Sequence, residues 1–288
     1  MRCPICDRSA DPGVTDCPAG HPLSDESGVI RLLPADLSAQ VAALESCVAI
    51  WRADQGRSPL PRAALRHLPE GDAVAGDPEW RLRRADLALV RRQLAGRASA
   101  AHGKRLRILD IGAWNGWLSA RLAADGHAAT ALDLFAGPDA LGARHHLPGA
   151  WRAVQADPMD PAALGERFDV VILDRCLAFQ PDPVAAVSAA AGVLDPGGLL
   201  IVTGIVVHAD TELAALRLEA ERVAFKARFG MDLLLRPSRG VLTGGHLAAL
   251  RAVGLTVRDH PFLRIANIRA HVDVSRPVHR IGTLEVAP

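Results

Sequence analysis

The chain contains no tyrosine, and aromatic residues make up only 4% of its 288 positions. The first absence removes any mechanism built on a phenolic acid, base or stacking ring. Lysine is scarce beside arginine, which reads as a coding bias rather than as chemistry. Neither sign of charge dominates: 33 basic against 32 acidic residues give a formal charge of +1, so no global pull acts towards nucleic acid or an anionic membrane. No window approaches twenty uncharged apolar residues, and the opening stretch lacks the basic-then-apolar layout of a signal peptide. A cytoplasmic protein with no membrane partner is therefore expected. Cysteine is sparse as well, with five in all.

Three of those five fall within the first seventeen residues, and a histidine follows. Cys3, Cys6, Cys17 and His21 have the spacing C-x2-C-x10-C-x3-H, which suits a tetrahedral zinc held between two tight turns. A disulfide framework would leave one cysteine unpaired. Four protein ligands leave no open position for water, so such a zinc would be structural. Cys47 and Cys176, each alone among apolar neighbours, read as packing residues.

With 49% hydrophobic and 23% charged residues, the chain can bury a full α/β core and carry a small appended unit. The expected division is a zinc ribbon over 1–34, a helical linker or lid over 35–104, and a cofactor domain over 105–288. Within the middle part, residues 36–51 and 77–96 read as helices, the second with Asp77 as its N-cap and Pro78 in the first position. The intervening residues, rich in Pro, Gly and Arg, read as a linker. Arg81, Arg83, Arg84, Arg91 and Arg92 crowd the second helix, either as a solvated face or as a basic surface.

From Leu106 onwards, short apolar runs alternate with helical periodicity. "LRILDIG", "AATALDL", "WRAVQAD", "FDVVILD" and "GGLLIVTG" suit buried parallel strands, with Pro196, Gly197 and Gly198 as the turn into the fifth. The prediction is a doubly wound, Rossmann-like, mostly parallel sheet of seven strands, with its ligand at the carboxyl ends of the strands. The turn in "DIGAWNG" discriminates between ligands. A dinucleotide site wants G-x-G-x-x-G, but the corresponding positions here are Gly112, Trp114 and Trp117, which makes a pyrophosphate a poor fit. S-adenosylmethionine carries no phosphate. Asp110 can receive its amino group, Asp133 its ribose hydroxyls, and Asp157 lies within expected reach of its adenine amino group. Gly116, Ala113, Leu134, Pro158 and Asp174 complete the expected lining.

These motifs, over residues 106–260, resemble those of the class I S-adenosylmethionine-dependent methyltransferases. Trp114 stands at the middle glycine of that family's first motif. The N-terminal Cys, Cys, Cys, His set followed by "GHPLSDESGVIRLLP" is similar to the zinc ribbon of the 23S rRNA guanine-N1 methyltransferases. The resemblance implies methyl transfer, with Asp174 on the rim where acceptors sit, and His145, His146 and His208 as candidate bases. Three readings stay open: an enzyme acting on a small molecule, an RNA base methyltransferase gripping RNA with ribbon and arginines, and a non-catalytic partner-binding protein.

Overall fold

Residues 1–11, 14–57, 59–100 and 105–288 are described by a computed structural model. The expected boundary at 104/105, two ribbon residues (12–13) and linker residue 58 touch positions outside the described residues.

In chain order the elements are β1 (Ile30–Arg31), α1 (Ala35–Asp54), α2 (Arg62–Leu65), α3 (Pro78–Ala100), β2 (Arg107–Ile111), α4 (Trp117–Ala124), β3 (Ala128–Asp133), β4 (Arg152–Gln155) and β5 (Phe168–Leu173). There follow α5 (Pro183–Gly192), β6 (Leu194–Val207), α6 (Thr211–Phe229), α7 (Gly244–Ala252), β7 (Thr256–Asp259), α8 (Arg264–Val272) and β8 (Val278–Glu285). The helix starts follow local chemistry. Asp77 Oδ1 accepts the Glu79 N–H at 2.7 Å at the head of α3, and Asp182 caps α5 ahead of Pro183 through the amides of Val184 and Ala185.

One mixed sheet carries the strands in the order β1-β4-β3-β2-β5-β6-β8-β7. The first six of these are parallel, and β8 runs antiparallel to both of its neighbours. Four successive residues of β2 are buried, as a strand covered on both faces requires. The sheet has eight strands, not the predicted seven. Ile30 and Arg31 pair with Val154 and Gln155, and Arg31 also donates to Gln155 Oε1 at 2.8 Å. Two residues are too few to show an alternating pattern in sequence. The predicted turn at Pro196–Gly198 is likewise absorbed into the long β6, where the register against β5 shifts between Phe168 and Val170.

Two apolar cores flank the sheet. On one face Cys3, Cys17, Leu23 and Leu32 of the ribbon region join Leu109, Leu132, Val171, Val187 and Leu250. On the other, Trp80, Leu87, Val90 and Leu94 of α3 pack with Ile108, Trp117, Val170 and Ile201. The segments that read as ribbon and linker thus share cores with the sheet. Helices α1 and α6 meet over its carboxyl ends, where the Trp51 and Phe225 ring centroids are 5.7 Å apart and Trp51 Nε1 donates to Glu221 at 3.1 Å. Among the described residues no helix is long and apolar enough to cross a membrane.

Candidate functional site

The strand order reverses between β2 and β5, and three carboxylates gather at this switch point. Asp110 is fully buried: Oδ2 accepts the Ser119 hydroxyl at 2.9 Å, and Oδ1 has no partner. Asp133 accepts the backbone N–H of Trp114 at 2.7 Å and that of Phe135 at 2.9 Å. Asp174 accepts the Thr203 hydroxyl at 2.6 Å and lies 3.7 Å from the Arg83 guanidinium. Burial pushes all three carboxyls above their ordinary range. The charge of Asp174 adds to the rise at Asp110, while Arg83 counters it at Asp174. A cationic ligand would relieve this cluster, and the bare Oδ1 of Asp110 is a ready acceptor for an ammonium group.

The turn between β2 and α4 is left-handed at Gly112 (φ 77°), Trp114 (φ 51°) and Gly116 (φ 81°). A Cβ on Gly112 would stand 2.5 Å from that of Cys176, and one on Gly116 would enter the Trp151 ring, so close packing holds both positions to glycine. The amides of Gly112 and Ala113 both donate to Leu132 O, at 2.9 and 3.2 Å. Trp114 adopts an unfavourable backbone conformation for a bulky residue. Its indole lies 6.3 Å from that of Trp80, with the Arg83 guanidinium 5.5 Å from its centroid. This loop is therefore roofed by α3.

Further along the strand ends, both oxygens of Asp157 are held by Arg236, one at 2.8 Å, while Pro158 is buried beside it. Leu134 is half-buried, and its carbonyl accepts Gln155 Nε2 at 2.8 Å. From α1, Glu45 reaches over to the Gly137 N–H at 2.9 Å, and burial raises its carboxyl. His145 and His146 end a short 3₁₀ turn past β3, on the far side of β2 from Asp174. His208 directly follows β6, next to β5. Of the predicted bases, His208 alone lies beside the strand that carries Asp174.

Several polar residues at the site were not assigned a role from the sequence. Arg175, left-handed at φ 55°, donates to Asp86 Oδ2 at 3.0 Å. His260 Nε2 lies 3.2 Å from the other oxygen of Asp86, off the hydrogen-bond line. His260 Nδ1 accepts the Phe262 N–H at 3.2 Å, which leaves Nε2 as the donor nitrogen of the ring. Val206 of β6 pairs with His279 of β8, which puts His279 on the same sheet face as His208. Burial lowers both imidazoles from 6.5, with Arg217 adding to the effect at His208 and Arg175 at His279. The one sequence trace of this group was an aspartate, Asp86, inside the arginine-rich helix, three residues from Arg83.

In the ribbon, the ligand atoms of Cys3, Cys6, Cys17 and His21 all lie within 4.8 Å of one another. Cys6 and Cys17 sulfurs are 3.7 Å apart, and His21 Nδ1 is 3.5 Å from Cys17 Sγ and 3.7 Å from Cys3 Sγ. Metal–sulfur arms of about 2.3 Å in a tetrahedron give edges of roughly 3.8 Å, so the set fits one ion. Burial works against the Cys17 thiolate, but the backbone amides of His21 and Ala19 outweigh it and bring that thiol to about 6. All the cysteines are free.

A protein-family model described as a methyltransferase domain matches residues 109–202. Among curated proteins, a ubiquinone biosynthesis O-methyltransferase of Marinobacter nauticus is 28% identical over 194 residues, covering 62% of this chain and 78% of its own. The protein of the same name from Xylella fastidiosa is 32% identical over 182 residues, covering 59% of this chain and 71% of its own. Among solved structures, the magnesium protoporphyrin IX methyltransferase of Synechocystis with bound SAH aligns at a TM-score of 0.49 and 16% identity, over 84% of this chain and 100% of that one.

Proposed function

The chain belongs to the class I S-adenosylmethionine-dependent methyltransferases, and from that premise we propose that it methylates a hydroxyl oxygen of a small molecule. The observation that carries the cofactor side is the group of three buried carboxylates with one unpartnered oxygen on Asp110. These residues fit the cofactor's hydrogen-bond donors: Asp110 would hold its ammonium group and Asp133 its ribose hydroxyls, with Gly112, Ala113, Trp114, Gly116 and Leu134 along its length. Asp157 and Pro158 stand at the adenine end, where Arg236 must yield if Asp157 is to bind the base. When bound, S-adenosylmethionine supplies an activated methyl group.

The chain's own part is positional and acid–base. Asp174 and Arg175 face the acceptor from the end of β5. His208, its ring free of hydrogen bonds among the described residues and held neutral at pH 7, takes the hydroxyl proton. Alignment of oxygen and methyl in line supplies much of the rate. The names of the curated relatives support oxygen as the methylated atom. Against an RNA substrate stands the engagement of three of the five clustered arginines: Arg83 binds Glu79, Arg84 binds Pro69 O, and Arg91 binds Asp125. The ribbon set, Cys3, Cys6, Cys17 and His21, would hold a structural zinc, which suits a reducing cytoplasm. Ribbon over 1–34, helical cap over 35–104 and catalytic domain over 105–288 remain our division of the chain.

Labelled S-adenosylmethionine incubated with fractionated lysate tests this reading, with Asp110→Ala/Asp133→Ala as control. Label in a base-stable ether of the metabolite fraction, absent in the control, is expected. Label in RNA would overturn it.

A further inference from the structure

Helix α8 is amphipathic the wrong way round for a helix on a soluble domain. Asn267 and Ala270 are its buried residues, and Asn267 is clamped to β8 by two bonds, its Nδ2 donating to His279 O at 2.9 Å and its Oδ1 accepting the His279 N–H at 2.8 Å. That clamp fixes the rotation of the helix and sends its large apolar side chains outward. Ile265 is 69% exposed, Ile268 64% and Val272 87%, with Val274 at 75% and Phe262 at 47% on the flanking turns. At about 100° per residue, Ile265, Val272 and Ile268 form one stripe roughly 60° wide. Arg269 borders it on one side, Arg264 and His271 on the other. Between 256 and 280 the sequence carries five arginines, at 258, 264, 269, 276 and 280, against two aspartates, at 259 and 273.

We propose that α8 and the turn after it form a peripheral docking surface for a phospholipid bilayer with anionic headgroups. The stripe is a convex ridge of aliphatic side chains, suited to the headgroup–acyl boundary, and the arginines on both sides can reach phosphates while their stems lie along apolar surface. A second copy of the chain is a poor occupant, because a two-fold contact would set the same arginines against one another. A protein partner is disfavoured by the lack of a pocket or central aromatic anchor on the ridge. Attachment here is reversible and salt-sensitive, since one short helix buries little area and the arginines act through a screened field. The clamp to His279 places the surface beside the acceptor face of β6 and β8, so an apolar acceptor dissolved in the bilayer would reach the site at short range.

The test is co-sedimentation of the full chain with two sets of vesicles, pure phosphatidylcholine and the same lipid with one-third phosphatidylglycerol. Partition into the anionic set is expected to exceed the neutral set roughly tenfold or more and to fall as salt rises. Ile265→Ser/Ile268→Ser, both exposed and so neutral to folding, is expected to abolish it. Arg264→Gln/Arg269→Gln is expected to remove the preference for anionic lipid. Leu216→Ser/Val223→Ser, on the exposed face of α6, is expected to leave pelleting unchanged. No pelleting of the parent chain, or equal pelleting of the Ile265→Ser/Ile268→Ser variant, overturns the proposal. A change of mass in light scattering without pelleting would show a protein interface and overturns it too.

Discussion

Asp110 carries opposite obligations to stability and to ligand binding. Its carboxyl is raised by burial and by Asp174. A carboxyl whose folded pKa exceeds its unfolded one contributes stability at low pH and loses it as pH rises through the folded value. When it ionises in the unliganded protein, Asp110 is a buried charge with no partner on Oδ1, and a cationic ligand removes that cost. Asp110→Asn is expected to raise the melting temperature of the ligand-free protein at about pH 8 by a few degrees, worth roughly 1 kcal/mol. The same variant should weaken S-adenosylhomocysteine binding about 10- to 100-fold. Calorimetry and titration check both arms, and an unchanged affinity would remove Asp110 from the cofactor site. The acids at the strand ends were legible because strand, acid and glycine turn stand together in sequence. The bonds of those acids were not: Arg83 lies 91 positions before Asp174, and Arg236 lies 79 beyond Asp157. Nothing in the local pattern around either arginine encodes such a pairing.

At the scale of elements, the parallel strands and the long helices α1 and α3 followed from period and capping, as at Asp77 and Pro78. The exceptions are elements made by tertiary contact. β1 is two residues long and exists because β4 offers an edge, and α8 turns its apolar face outward because Asn267 is bonded to β8. Hydrophobic spacing alone would have buried Ile265 and Ile268. The ribbon gives the element-scale prediction. Its residues Cys3, Cys17, Leu23 and Leu32 share a core with Leu109 and Val171 of the sheet, so loss of the proposed metal should be felt throughout. Treatment with a strong chelator is expected to lower the melting temperature by about 5 °C or more in a single calorimetric transition. A ribbon that melts in a separate transition, leaving the main one in place, would contradict that coupling.

Over the whole molecule, the near-neutral charge in the sequence was a correct average that concealed its distribution. Most arginines of α3 are engaged: Arg83 is bonded to Glu79 and lies close to Asp174, Arg84 is held by the Pro69 carbonyl, Arg91 by Asp125, and Arg92 lies over Phe262, while Arg81 is exposed. Around α8, Arg276 and Arg280 pair with Asp273 and Asp259, while Arg258, Arg264 and Arg269 have no acidic partner among the described residues. Affinity for ribosomal RNA fragments is accordingly expected to be no tighter than the roughly micromolar non-specific range at physiological salt. Filter binding across a salt series measures this, and a steep slope at nanomolar affinity would reinstate nucleic acid as a partner.

The pairing of β1 with β4 also bears on the order in which the chain assembles. Arg31 and Gln155 are separated by 124 positions, so a ribosome will have produced the cysteine-rich turns long before the strand that receives β1 exists. The knuckles can form at once from local residues, while docking waits for β2, β3 and β4 to emerge. During that interval Leu23, Ile30 and Leu32, all buried in the finished protein, lack the sheet residues Leu109, Leu132 and Val154 that share their core. Synthesis thus leaves an apolar, strand-forming stretch exposed for the time needed to translate more than a hundred residues, and a chaperone acting on this protein would find its binding segment there.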